Sequence, residues 1–147
     1  MKIALSSDEY HQCHDYIVEW LEGKGHVLEL FGSFKSKQEE QWVSVIADAA
    51  KSVASGNCQE GIFFCWSGTG ACIVSNKFRN IRAALCTDEE TARLARVWNH
   101  ANILILPNRL LNQQIANNIL TAWFEPADTL KGSAGVEALR KLERSIE

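Results

Sequence analysis

The run EGIFFCWSGTGACIVSNKF, Glu60 to Phe78, decides how the chain is read. Gly61 to Phe64 is a short apolar, aromatic-rich segment with the length of a buried strand, and Cys65 ends it. Ser67, Gly68, Thr69 and Gly70 form a small turn, and Ala71 to Lys77 reads as a helix. A strand that enters a glycine turn and opens a helix brings one side chain and several unpaired N–H groups to a single point, which suits an anion. The partial positive charge of a helix N-terminus also favours the thiolate, the reactive form of cysteine. Cys65 is therefore a candidate base or nucleophile. The amides of Ser67 to Ala71 are candidates to hold a phosphate or a developing oxyanion. The competing reading is that Cys65 is a small buried hydrophobe, because one Gly-Thr-Gly is a weak signal.

Outward from this stretch, short apolar runs alternate with helical patterns. Lys2 to Leu5, His26 to Phe31, Ile81 to Leu85 and Ile103 to Leu106 read as strands. Asp8 to Lys24, Gln41 to Ser55, Asp88 to Trp98 and Leu110 to Trp123 read as helices, with Tyr16, Ile17, Trp20 and Leu21 at helical spacing in the first. Gly32 to Glu39 reads as a polar loop. Thr87 is the expected N-cap of its helix, with Glu90 at capping-box spacing. Continuous apolar strands separated by helices indicate a parallel sheet covered on both faces. The expected fold is α/β, a Rossmann-like three-layer α/β/α sandwich with a five-stranded parallel sheet. A loop from Glu125 to Gly135 leads to an extra C-terminal helix, Val136 to Ile146, of the kind that packs on a partner. Sheets of this class bind ligands at the carboxyl ends of their strands. That rule collects Ser6 to Glu9, Cys65 to Gly70, Cys86 to Asp88 and Pro107 to Arg109 on one rim.

Length and composition narrow the classes. The 147 residues, 46% hydrophobic and 22% charged, describe one globular domain, 1–147, with a real core. A net charge of -3 with no basic cluster gives no support for nucleic acid or an anionic membrane as partner. No stretch has the length of a signal peptide or a membrane span, and a cytoplasmic location is expected. The five cysteines are an odd count without a C-x-x-C pair, so neither a zinc ribbon nor a thioredoxin-type motif is indicated, and free thiols fit a reducing compartment. No metal site is expected. A cysteine phosphatase would need an arginine where Ala71 stands. A dinucleotide-binding domain would need a glycine fingerprint where Ser6-Ser7-Asp8-Glu9 stands, and a receiver domain would need a second acidic site after its third strand. A protein-interaction module remains open on these grounds.

Taken together in order, several segments carry a resemblance. Cys65 with Ser67-Gly68-Thr69-Gly70, then Ser75-Asn76-Lys77-Phe78, Ile81-Arg82-Ala83 and Trp98-Asn99-His100-Ala101-Asn102 are similar to the type B ribose-5-phosphate isomerase family, which includes the galactose-6-phosphate isomerase subunits. The similarity runs from Ser7-Asp8 to the terminal helix. It implies an aldose–ketose isomerase working as a homodimer or as a tetramer, with active sites shared between subunits and no metal or organic cofactor. A cysteine at the place of Cys65 moves a proton between C1 and C2 of the open-chain sugar. The enediolate is held by the turn amides of Gly68, Thr69 and Gly70 and by a hydroxyl at the place of Ser67. Asp8 lies beside the sugar hydroxyls and Asn99 bonds one of them.

The departures from the family pattern bear on substrate. Glu9 stands where the family has a histidine, and Trp98 replaces its ring-opening histidine. Lys131 and Gly135 stand where two arginines grip the substrate phosphate, while Arg109 matches an arginine of that site. Fewer guanidinium groups and an added carboxylate weaken the hold on a phosphate dianion, with Lys131 compensating in part. Two expectations follow: an isomerase for a sugar or sugar phosphate other than ribose 5-phosphate, or an inactive relative that binds a sugar-like ligand. In the first, Glu9 binds hydroxyls and Trp98 forms an apolar wall. The blander readings are that Glu9 is a solvated helix-start acid and that Trp98 packs in a dimer interface.

Overall fold

The structure, a computed structural model, describes residues 1–146. Five parallel strands, β1 (Lys2–Ser7), β2 (Val27–Gly32), β3 (Glu60–Cys65), β4 (Ala83–Leu85) and β5 (Ile103–Pro107), stand in the order β2-β1-β3-β5-β4. The seven helices are α1 (His14–Gly23), α2 (Ser33–Ser36), α3 (Trp42–Ala54), α4 (Thr69–Ser75), α5 (Glu89–Asn99), α6 (Gln113–Phe124) and α7 (Ser133–Ser145). One core joins Ile3, Leu5, Ile62, Phe64, Leu104 and Leu106 to α1, α5 and α6. The other joins Ala4, Phe63, Cys65, Ile103 and Ile105 to α3 and α4. Alternate residues of each central strand thus feed opposite layers, which is why these strands are apolar at every position. The expected three-layer Rossmann-like sandwich with its added C-terminal helix is the fold observed.

Several boundaries differ from the sequence reading, each for a local reason. Residues 8–13 form a loop rather than the first turn of a helix, because the Ser7 and Ser33 hydroxyls both donate to the Glu9 carbonyl, at 2.7 and 2.9 Å. The stretch expected as a loop after β2 contains the one-turn α2. Asp88, not Thr87, caps α5, its carboxylate accepting from Thr91 N at 2.7 Å. Asn112 caps α6, which therefore starts at Gln113 rather than at the expected Leu110, and a 3-10 turn, Asn108–Leu110, precedes it. Strand β4 is shortened to three residues. Its edge is sealed by Asn76, whose side-chain amide accepts from Ala83 N at 2.9 Å and donates to Ala83 O at 3.0 Å. Asn102 holds the segment before it, accepting from Arg82 N at 2.8 Å. Among the described residues, no helix is long and apolar enough to cross a membrane.

Polar chemistry inside the fold is concentrated at the first residue of β3. The Glu60 side chain is 8% exposed and forms an ion pair with Arg96 at 2.7 Å. It also accepts from Nε1 of the fully buried Trp123 at 2.8 Å. The Arg96 guanidinium lies over the Trp123 ring, 4.8 Å from its centroid, and donates to Ala101 O. Both Glu60 oxygens and the Trp123 Nε1–H are thus paired with one another or with Arg96, which is the condition for tolerating them inside.

Candidate active site

Strand order reverses between β1 and β3, and the residues leaving those two strands meet there. Ser7 is in register with Phe64, so Asp8 leaves β1 beside Cys65. On the other side Cys65 is in register with Pro107, and Arg109 N donates to Trp66 O at 3.1 Å, tying the β5 exit to the β3 exit. Cys65 is 7% exposed. Its Sγ accepts the Gly68 N–H at 3.2 Å, the one main-chain donor aimed at it. Gly68 has φ +78, which demands glycine, and a Cβ on it would also displace a Leu85 methyl 2.5 Å away. A Cβ on Gly70 would stand 2.8 Å from the Trp42 ring, which lies against the turn as an aromatic wall. The Ser67 and Thr69 hydroxyls are exposed and bonded to each other at 2.8 Å.

Two carboxylates complete this rim. Asp8 Oδ1 is enclosed and has no hydrogen-bond partner, an uncommon and costly state for a carboxylate oxygen. Desolvation is the main reason its carboxyl is held above the ordinary range, and the Glu9 and Glu39 charges add to the shift. Glu9 Oε1 accepts from Asn108 Nδ2 at 3.1 Å, and Asn108 Oδ1 in turn accepts from His14 Nε2 at 2.9 Å. Arg109 is exposed at the same rim, with no ion pair among the described residues.

The chain does not bring all the expected site residues together. Cys65, Ser67, Gly68, Thr69, Gly70, Asp8, Glu9 and Arg109 share the carboxyl rim. Trp98 and Asn99 end α5 at the opposite edge, where Gly61 N donates to Asn102 O and β5 begins. Lys131 adjoins them. A Cβ on Gly132 would fall 2.5 Å from the Trp98 carbonyl, and His100 Nε2 meets Thr129 O at 2.7 Å. Trp98 is 50% exposed. Near Asn99, between the β4 edge and α7, lies a hollow of about 460 Å³ lined by Arg82, Leu139 and Arg140 among others. All five cysteines are free thiols, and among the described residues no group of His, Cys, Asp or Glu is placed to hold a metal ion. His14 escaped the sequence reading, and Asn108 entered it only as a member of the rim run Pro107 to Arg109, without a role of its own. The one available signal was an imidazole on the inward face of an otherwise apolar helix.

An all-parallel sheet with a cysteine, a glycine turn and a desolvated carboxylate at its switch point is the site of a small-molecule α/β enzyme. Comparison with known proteins gives the class. The family described as Ribose/Galactose Isomerase matches residues 3–142. The chain is 32% identical over 135 residues to D-erythrulose-4-phosphate isomerase of Pectobacterium atrosepticum, covering 91% of this chain and 89% of that protein. It is 30% identical over 129 residues to 4-deoxy-4-sulfo-D-erythrose isomerase of Clostridium sp., covering 84% and 81%. Among solved structures, ribose-5-phosphate isomerase B of Clostridium thermocellum is similar with a TM-score of 0.88 and 30% identity, covering 100% of both chains. The chain belongs to the ribose/galactose isomerase family, a family of sugar-phosphate aldose–ketose isomerases, and is an enzyme of that class.

Proposed function

We propose that the single domain 1–147 interconverts an aldose and its ketose through an enediolate, with Cys65 as the base. The thiolate takes the proton from C2 of the open-chain aldose. The C2–H electron pair becomes the C1–C2 double bond, and negative charge moves to O1. The amides of Thr69 and Gly70 and the Ser67 hydroxyl are assigned to that oxygen, the Gly68 N–H being directed at Cys65 Sγ. Asp8 accepts the O2 hydroxyl proton and delivers it to O1, and Cys65 returns its own proton to C1, which leaves the ketose. Atoms and electrons balance without any co-reactant. One observation carries the reading. Cys65 Sγ is held by the Gly68 N–H at the strand exit, in register beside Asp8, whose enclosed oxygen lacks a partner.

The substrate follows from what the rim carries. Among the residues assigned to substrate, Arg109 is the one cation on this rim, which also carries Asp8 and Glu9, and Lys131 lies at the far edge. This grip suits a short sugar with an anionic end better than ribose 5-phosphate. The two relatives of known name that act on four-carbon compounds support that choice. Trp98, Asn99 and Lys131, exposed at the opposite edge, serve the site of a second copy in a cytoplasmic homodimer with shared active sites. A panel of four- and five-carbon aldoses and ketoses, free, phosphorylated and sulfonated, tests the assignment. The highest kcat/KM is expected on a four-carbon acid ester or sulfonate, and a preference for ribose 5-phosphate would refute it.

Asp8 supplies a second check through pH. Its carboxyl titrates above the usual Asp value of 3.8, chiefly because it is desolvated. The ionised form is the competent one, so kcat/KM falls on the acid side at a pH above that of an exposed aspartate. Asp8→Asn removes this limb along with most of the rate. Stability moves the other way. A carboxyl whose folded pKa is raised penalises the fold above that pKa, and the penalty vanishes as pH falls below the unfolded value. Asp8→Asn is therefore expected to unfold no earlier than the parent at pH 7 while losing activity. A melting point lowered by the substitution would contradict the desolvation account.

A further inference from the structure

The polar chain His14–Asn108–Glu9 lies outside the chemistry assigned above and is built with more care than a surface acid requires. His14 is 3% exposed and Asn108 1%. The His14 ring is stacked on Phe34 at 4.6 Å and tilted against Phe64 at 4.6 Å, so it cannot turn freely. Asn108 Nδ2 donates to Glu9 Oε1, which fixes the amide with its oxygen toward His14, and the His14 Nε2–H is then the donor. Burial depresses the His14 pKa to about 4, so the ring is neutral at pH 7 and every link of the chain is uncharged except Glu9 itself.

Topology gives the chain its meaning. Asn108 follows β5, Glu9 follows β1, and β3 lies between them. The Asn108 amide therefore reaches past the exit of β3, where Cys65 sits, to grip a residue two strands away. The Glu9 main chain is gripped as well, its carbonyl accepting from Ser7 Oγ and Ser33 Oγ and its N–H donating to Ser7 Oγ at 3.3 Å. Meanwhile Glu9 Oε2 takes no hydrogen bond among the described residues. A carboxylate immobilised through one oxygen by a neutral partner, with the other oxygen open at a ligand rim, is an acceptor for a donor on the ligand.

Resting on the isomerase reading, we infer that Asn108, backed by His14, is a positioning residue that aims Glu9 Oε2 at a substrate hydroxyl. Glu9 thereby selects the hydroxylated part of the carbon chain for its side of the rim and turns the anionic end away. Solvated helix-start acids need no buried amide and no stacked imidazole to hold them.

The test is a double-mutant cycle on the best four-carbon substrate of the panel. Glu9→Ala and Asn108→Ala are each expected to raise KM about tenfold, the value of one hydrogen bond to a charged group, with kcat changed less. The double variant is expected to match Glu9→Ala alone, because Asn108 has nothing left to aim. Melting curves identify any variant that fails to fold, and Asn108→Ser with His14→Phe then repeats the comparison with smaller disturbance of the core. Losses that multiply in the double variant, or that fall on kcat, overturn the inference while leaving the isomerase reading intact. Absence of turnover by the parent protein across the whole panel overturns both.

Discussion

Cys65→Ala is expected to lower kcat by about 10²- to 10⁴-fold on whichever sugar the parent protein isomerises, the usual loss on removing a positioned base. The melting temperature should move little. Cys65 is buried and contributes to the core shared with α3 and α4, but alanine removes only one sulfur and leaves a void close to the rim. The main-chain turn survives, because Gly68 keeps its φ of +78 through its own lack of a Cβ and not through the sulfur. Folding and catalysis therefore separate in this variant. Cys65→Ser is the companion. Its oxygen can accept the Gly68 N–H, yet a hydroxyl is far harder to ionise than a thiol, so activity should stay near the alanine level. Turnover within a few-fold of the parent in either variant would remove Cys65 from the mechanism.

At the other end of the same strand, Glu60→Ala is expected to cost stability rather than catalysis. It strands the Arg96 guanidinium and the Trp123 Nε1–H, a donor on a side chain with no solvent access. Breaking a buried pair by removing one partner costs about 3 kcal/mol, which for a chain of this size lowers Tm by roughly 10 °C. Arg96 is 26% exposed and recovers part of its solvation, which places the cost at the lower end of the range for buried pairs. Glu60→Gln keeps an acceptor for Trp123 and should lose less. Because Glu60 and its partners Arg96 and Trp123 touch none of the residues around Cys65, kcat measured well below the melting transition should be close to the parent value. Thermal unfolding followed by circular dichroism reads the first effect. A Tm within a degree or two of the parent would show that this edge is not held by the Glu60 network.

Legibility in the sequence followed the range of the interactions involved. The strands and the layer architecture were visible because burial on both faces writes apolar residues at every strand position, as in Ile62-Phe63-Phe64 and Ile103-Leu104-Ile105. The turn after β3 was visible because the positive φ of Gly68 requires glycine there. Helix starts were misplaced where a side chain overrode the periodic pattern. Asp8 to Cys13 carries a plausible helical pattern, but serines from two elements seize the Glu9 carbonyl and hold the segment as a loop. The strand-end rule put Asn108 on the rim with Pro107 and Arg109, but its partners could not be foreseen, since His14 and Glu9 are 94 and 99 positions away. The opposed placement of Cys65 and Asn99 follows from helix α5 running back across the sheet. A list of motif residues in sequence order contains no such information.

The core claim is that the Cys65 sulfur shuttles a proton between adjacent sugar carbons. Solvent isotope uptake reads this most directly: the parent protein is incubated in deuterated water with its preferred sugar, and NMR follows the carbon-bound hydrogens at C1 and C2. The account predicts deuterium at C2 of the aldose and in one of the two hydrogens on C1 of the ketose, at or above the rate of isomerisation, with uptake abolished in Cys65→Ala. Isomerisation with full retention of the original hydrogen would point to hydride transfer and contradict it, as would undiminished exchange in the alanine variant.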